Sequence, residues 1–345
     1  MDIHPCRRNE ILDYYRIWNS CFGDSFDTII EFLKSFQKSV LAYTLTDQED
    51  VRAALTTFFM GNLKLPKTEV QVSRNPGQYP QEDLPVNISY AIGTDPDHRG
   101  SGYGSALTAF VAEKQTEAGF LSVLSPADQG LVNFYKPLGY VPYFYKEELT
   151  ADAVPLPENA DSDAVPEVLP LPAKDYFSLR EGFLADRPHI ALSKETLDYE
   201  ALCAVPKDEP YDGYTLTSSG FFRCYSPVSC VFTVEPSEPG QLYIPELVTQ
   251  NDYGRDEITA LLASLASMFG KETAFCMTPA APDSPTALVH GMLYIPDHAD
   301  PSSAAGSADD PGENNKTPAE NTCSPAAIAA AAPSGLPPWL GFAFD

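Results

Sequence analysis

The sequence predicts an α/β protein in two parts. Three observations carry this reading. At 86–111 an alternating apolar run passes through a glycine-rich turn into a helix-like run. At 240–280 the order strand, turn, helix, strand returns without the glycines. Between them, residues 151–172 are crowded with prolines, alanines and acidic residues, the composition of a linker or long surface loop. The recurring order reads as a weak internal duplication.

The first part opens on a helix. Ile11, Tyr14, Tyr15 and Trp18 recur at helical spacing, and Cys21-Phe22-Gly23 stops the run. Phe26, Ile29, Ile30, Leu33 and Phe36 predict a second helix. "LAYTLT" (41–46) and "VRAALTTFFM" (51–60) read as strands joined by an acidic turn. A proline-rich loop runs from about Pro66 to Pro85. In "VNISYAIG", Val86, Ile88, Tyr90 and Ile92 alternate with small or polar residues, so this strand enters the glycines of "DPDHRGSGYGSAL" (95–107). Leu107, Phe110 and Val111 line the following helix, and Gly119 sits at its C-cap. "FLSVL" (120–124) is a short strand.

In the second part, Ile258, Leu261, Leu262 and Leu265 form the apolar stripe of a helix. "HGMLYI" (290–295) loosely echoes "LGYVPYF" (138–144). Residues 297–337 hold almost no large apolar side chain. They cannot bury enough surface to offset ordering entropy, so a disordered insertion is expected there. An apolar strand closes the chain at 338–345.

The chain has 345 residues, with 22 Lys and Arg against 48 Asp and Glu, a net charge of -26. Such a field repels nucleic acid and anionic membranes and favours cationic small partners. No apolar run is long enough for a transmembrane helix. "MDIHPCRRNEILDYY" lacks the apolar core and cleavage site of a secretory signal. The seven cysteines are scattered with no CxxC pair, which predicts free thiols in a reducing cytoplasm. His4, His98, His189, His290 and His298 form no spaced cluster, and no metal is expected.

A strand, a glycine turn and a helix start together cradle an anion. Backbone N–H groups and the positive end of the helix dipole face the ligand. A P-loop is excluded, because no lysine follows the glycines. A dinucleotide fold needs GxGxxG, but the glycines lie at 100, 102 and 104 and Ser105 takes the last position. It also wants an acidic residue after the next strand, where Ser125 and Pro126 stand.

"HRGSGYGSAL" resembles the pyrophosphate loop of the GNAT superfamily of acyl-CoA N-acyltransferases: Arg or Gln, two residues, Gly, one residue, then Gly or Ala. Arg99, Gly102 and Gly104 satisfy that pattern. "NFYKPLGY" (133–140) is similar to the family's second hallmark, an aromatic residue and Tyr, three residues, then Gly and an aromatic. The resemblance covers residues 1–150 and implies an α+β mixed sheet with a splayed central strand pair. The whole layout is similar to that of acetyltransferases of the enhanced-intracellular-survival type, although those are longer. It implies a linker at 151–172 and a second α/β domain at 173–296, either a degenerate GNAT-like repeat or a sterol-carrier-like fold. "TQNDYGRDEITAL" has no glycine loop, so the second domain is not expected to bind coenzyme A in the same way.

The resemblance also implies chemistry, with acetyl-CoA as co-substrate. Ile92, Gly93 and Thr94 would hydrogen-bond the pantetheine arm through their main chain. Arg99, Gly100, Ser101, Gly102, Tyr103 and Gly104 would bind the pyrophosphate, mostly by backbone N–H, with the Tyr103 side chain packed on the helix start. Tyr135 would be the general acid that protonates the leaving thiolate, since a phenol of pKa about 10 and a thiol of about 8.5 are close enough for useful transfer. Its bland alternative is packing, or a hydrogen bond to the CoA sulfur. The acceptor would be a primary amine of a small molecule, with the acidic surface favouring a polycation. Asp345, at the terminus, is a candidate base by analogy with the longer enzymes. Asp95, Asp97 and Asp128 read as cap or loop residues. The competing class is a non-catalytic acyl-CoA sensor, against which the retention of Tyr135 argues.

Overall fold

A computed structural model describes residues 1–66, 83–157, 165–204, 218–299 and 339–340. The chain forms two compact units. The first holds Met1–Tyr143 and the strand residues from Val289 onward; the second holds Phe144–Leu288 with Trp339 and Leu340. The boundary therefore falls a few residues before 150, inside a strand.

In the first unit, α1 (Ile11–Phe22) ends at Gly23, whose φ of 83° is left-handed and whose N–H returns to the Asn19 carbonyl. Ser25 caps α2 (Phe26–Ser35) by accepting the Thr28 N–H. Both helices turn aromatic side chains onto the sheet. Trp18, Phe32, Phe36, Phe58 and Tyr90 join through ring centroids 4.2–5.6 Å apart. Each such pair adds about 0.5–1.5 kcal/mol beyond its buried area.

β1 (Asp2–Pro5), which sequence reasoning missed, pairs antiparallel with β2 (Leu41–Asp47). β2 turns through Gln48 and Glu49, both at positive φ, into β3 (Asp50–Lys64). β3 pairs antiparallel with β4 (Asp83–Thr94). Pro85 lies inside β4 opposite Asn62 rather than in the preceding loop. It stands one residue before Val86, where pairing with β5 begins.

α3 (Tyr103–Glu117) carries the chain across to β5 (Leu121–Leu124), which runs parallel to β4. α4 (Gln129–Tyr135) and β6 (Leu138–Asp152) follow. The strand beside β5 comes from the far end of the sequence: β14 (Leu288–Ala299) pairs antiparallel through Met292 and Leu293 with Leu124 and Val123. The sheet is mixed, as the sequence predicts.

The second unit repeats the strand, helix, parallel strand order. β11 (Gln241–Ile244) runs parallel to β13 (Thr273–Pro279), and α7 (Arg255–Met268) lies between them in sequence. The predicted stripe of Ile258, Leu261, Leu262 and Leu265 is buried. The neighbour of β13 is the later part of β6, from Lys146 to Asp152. So each parallel pair is flanked by a strand from the other half of the sequence. A second sheet has the order β12 (Leu247–Thr249), β10 (Cys230–Val234), β9 (Gly220–Cys224), β7 (Val168–Leu171). α5 (Ala173–Leu184), β8 (His189–Leu192) and α6 (Lys194–Ala204) complete the described elements.

Two expectations need correction. The stretch 151–172 is not all linker, because β6 extends to Asp152 and β7 occupies Val168–Leu171. Leu149 and Ala151 are core residues, and Val168 and Leu171 pair with Cys224 and Phe221, which overrides the loop-like composition. Residues 297–299, expected in the insertion, belong to β14, which continues to Ala299; residues 300–338 lie outside the described residues. Of the closing strand only Trp339 and Leu340 are described, and Trp339 makes a single parallel bridge to His189.

An ion pair is buried in the second unit. Arg180 Nε donates to both oxygens of Glu246 at 3.0 and 2.9 Å, and both side chains are almost wholly buried. Removing one partner of such a pair costs about 3–5 kcal/mol, because the other charge is left uncompensated. The six described cysteines form no disulfide. No described helix is long and apolar enough to cross a membrane.

Candidate active site

The site begins where β4 parts from β5. Their parallel ladder holds only Val86–Ile88 against Leu121–Val123. Beyond it, β4 continues to Thr94, paired among the described residues with β3 alone. The β3–β4 register shifts between Ala54 and Thr56, so two residues of β4 oppose Leu55. One of them, Ala91, has a φ of 49°, left-handed for a residue with a Cβ. Such a bulge bends its strand and frees one edge. The main chain of Ile92, Gly93 and Thr94 follows directly. Gly93 is needed for space: a Cβ there would meet Ile17 Cγ2 at 3.0 Å and Cys21 Sγ at 3.1 Å.

The turn after β4 is tied to α1. Cys21 Sγ–H donates to the Thr94 carbonyl at 3.4 Å, and Arg99 Nη2 reaches Cys21 Sγ at 3.8 Å. Asp95 caps a single 3₁₀ turn (Pro96–His98), accepting the Asp97 N–H at 3.1 Å and Arg16 Nη2 at 3.0 Å. Burial alone would raise the Asp95 pKa. The Asp97 N–H and the Arg16 guanidinium outweigh it and hold the carboxyl below its ordinary value.

Asp95→Asn is therefore expected to lower the melting temperature at pH 7. Because the folded pKa is depressed, the stabilisation is present above the unfolded value, about 3.9, and is lost as pH falls through the folded value. The gap between variant and wild type should close below about pH 4. A gap that stays constant down to pH 2 would refute the charge as its cause.

Gly100 and Gly102 both have a φ of 81°, and a Cβ on either would meet open space. Their torsion, not crowding, demands glycine. Gly102 is the N-cap of α3 and offers no side-chain cap, and the first turn carries no acidic residue. The Ala106 N–H is the first to reach back, to the Gly102 carbonyl at 3.0 Å. The N–H groups of Tyr103, Gly104 and Ser105 thus have no acceptor within the helix. A Cβ on Gly104 would stand 2.9 Å from Thr94 Oγ1 and 4.0 Å from Phe134 Cζ, so the helix start lies close against the end of β4. Tyr103 turns away, donating its hydroxyl to Asp47 at 2.7 Å. That hydrogen bond raises the Tyr103 pKa and lowers that of Asp47.

Tyr135 ends α4, whose N-terminus Asp128 caps by accepting the Leu131 N–H at 2.8 Å. The Tyr135 ring packs among Ala112, Leu124, Leu138 and Tyr140, with Ile92 against the same cluster. Tyr135 is 6% exposed. Burial, then the neighbouring Tyr140, pushes its phenol pKa well up, so it stays protonated through neutral and alkaline pH. Of the sequence-predicted residues, Ile92 and Tyr135 meet in one cluster, and Thr94 meets Gly104. Asp95 and Asp128 are caps. Asp345 lies outside the described residues. Sequence reasoning missed Arg16, Cys21 and Asp47, whose partners are 79, 78 or 73, and 56 residues away, beyond any local signal.

The matching helix of the second unit is closed to anions. The Gly254 N–H donates to Glu257 Oε2 at 2.7 Å, and Asp256 and Glu257 occupy the first turn of α7. Their carboxylates repel a phosphate where α3 would attract one.

Residues 75–140, from before β4 through Tyr140, match the model of the Acetyltransferase (GNAT) family. Over these residues the chain matches a GNAT domain. The solved structures it is similar to include a probable N-acyltransferase from Enterococcus faecalis, with a TM-score of 0.54 at 14% identity over 85% of this chain and 71% of that one. A GCN5-related N-acetyltransferase from Kribbella flavida gives 0.53 at 16%, over 85% and 70%. Eis1 from Mycobacterium abscessus gives 0.52 at 13%, over 85% and 73%. At these identities the likeness is one of fold, and it extends beyond the matched residues 75–140. No curated protein matches the sequence.

Proposed function

We propose that the GNAT domain is an acetyl-CoA-dependent N-acetyltransferase that acetylates a primary amine of a small molecule by direct attack. The observation that carries this is the opening between β4 and β5, with the uncapped start of α3 at the end of β4 and Tyr135 in the core cluster that Ile92 packs against. The pyrophosphate is held by backbone N–H groups of Arg99–Gly104, and the pantetheine arm by the main chain of Ile92–Thr94. The amine attacks the thioester carbonyl, and a backbone N–H beside the splay stabilises the oxyanion. On collapse the C–S bond breaks, and the Tyr135 hydroxyl gives its proton to the departing thiolate. The amine's proton goes to the Asp345 carboxylate. The net charge of -26 favours a polycationic acceptor.

The test is thiol release from acetyl-CoA against a panel of mono- and polyamines. Amine-dependent release is expected. Tight acetyl-CoA binding with no release for any amine would instead support an acyl-CoA sensor. Removing Phe344 and Asp345 should lower kcat by about 10²-fold, the lower range of general base catalysis. Unaltered turnover by the still-folded variant would eliminate Asp345 as the base.

A further inference from the structure

Trp339 is wholly buried in the second unit, among Tyr176, Phe177, Phe221, Val231 and Val248. Its backbone joins the strand edge at β8: the Trp339 N–H donates to the Pro188 carbonyl at 2.8 Å, and the Ile190 N–H donates to the Trp339 carbonyl at 3.1 Å. Its indole N–H donates to Glu246 Oε1 at 2.6 Å. These hydrogen bonds and the buried ring hold the two described residues of the tail.

The receiving surface has polar partners of its own. Glu246 also accepts both bonds from Arg180 Nε and one from the Tyr176 hydroxyl at 2.7 Å. Arg180 Nη1 is held further by the Ile190 carbonyl at 3.3 Å and by Glu181 at 3.0 Å. Departure of the tail therefore strands no buried charge, which is the usual obstacle to opening an ionic core. An apolar slot, one anionic acceptor at its floor and a strand edge offering alternating donor and acceptor are the components of a β-augmentation site for a peptide.

We propose that the second unit carries a docking site for an extended, tryptophan-bearing peptide segment, and that its occupant is the C-terminal segment of the same chain. The side chain that confers specificity is Trp339; Glu246 reads the indole N–H, and Pro188 and Ile190 read the backbone.

The probe is a synthetic peptide of residues 334–345, titrated into the full chain carrying Trp339→Ala. The peptide should bind this variant one to one and wild type at least tenfold more weakly, since the wild-type slot is filled. A peptide with Ala in place of Trp should bind neither. Failure of the peptide to bind folded Trp339→Ala protein, or equal binding to both proteins, would overturn the proposal. Hydrogen exchange on the unmodified protein gives a reading that needs no variant. The Ile190 and Trp339 amides should exchange together and faster than the Val231 and Thr233 amides of the β9–β10 ladder. Exchange in step with that ladder would make Trp339 an ordinary core residue and refute docking. A wild-type dimer that Trp339→Ala converts to monomer would overturn the same-chain occupant in favour of a second copy.

Discussion

Tyr135→Phe is expected to reduce amine-dependent CoA release by about 10²–10⁴-fold, the usual range for a general acid, with acetyl-CoA affinity nearly unchanged. The substitution removes one oxygen and keeps the ring that packs on Ala112, Leu124, Leu138 and Tyr140. The fold should therefore survive, and the melting temperature should move little. The pH profile follows from the same burial. Burial holds the Tyr135 pKa far above its ordinary value, so the acid form persists as pH rises. Wild-type activity should show no alkaline fall from Tyr135 at pH 8–10. Wild-type turnover by the Phe variant would reduce Tyr135 to a packing residue.

Gly102→Val should weaken acetyl-CoA binding by about 10²-fold, which corresponds to about 2.8 kcal/mol. Two effects combine. The φ of 81° disfavours any Cβ, and β-branching most of all. The new side chain also projects at the mouth of the uncapped N–H groups of α3, where a phosphate would sit. Gly270→Val separates these effects. Gly270 has a φ of 65° and open space around its Cβ, but it lies in the second unit. It should cost comparable stability with no change in acetyl-CoA affinity. Unchanged affinity in folded Gly102→Val protein would remove the loop from the phosphate site.

The parts of the fold that repeat locally were legible in the sequence. The helical spacing of Tyr14 and Trp18, the alternation of Val86, Ile88 and Tyr90, and the stripe from Ile258 to Leu265 all lie within one element and needed no knowledge of partners. The glycine turn was legible because positive φ leaves a mark in residue type. β1 was not, since a four-residue strand with the sequence DIHP has neither the length nor the alternation to signal itself. Nor was the bulge at Ala91, because alanine there gives no hint of a φ of 49°. Trp339 read only as part of an apolar end; its partner Glu246, and Arg180 that pairs with Glu246, are set by distant segments, and a lone glutamate and arginine carry no pattern. Long-range pairing, rather than propensity, separates what could be read from what could not.

The strand order of the first unit sets a timetable for synthesis. β5 has β4 on one side and β14 on the other, and β14 starts at Leu288. A ribosome that has released residues 1–150 has supplied the glycine turn, α3 and Tyr135, yet the strand that covers the open edge of β5 is still more than a hundred codons away. During that interval the nascent first unit presents an unpaired edge to neighbouring chains, the exposure that leads to misassembly. Elements of the proposed site that come first in translation are thus among the last to be closed off, and a gene cut after codon 150 would encode a half-sheet.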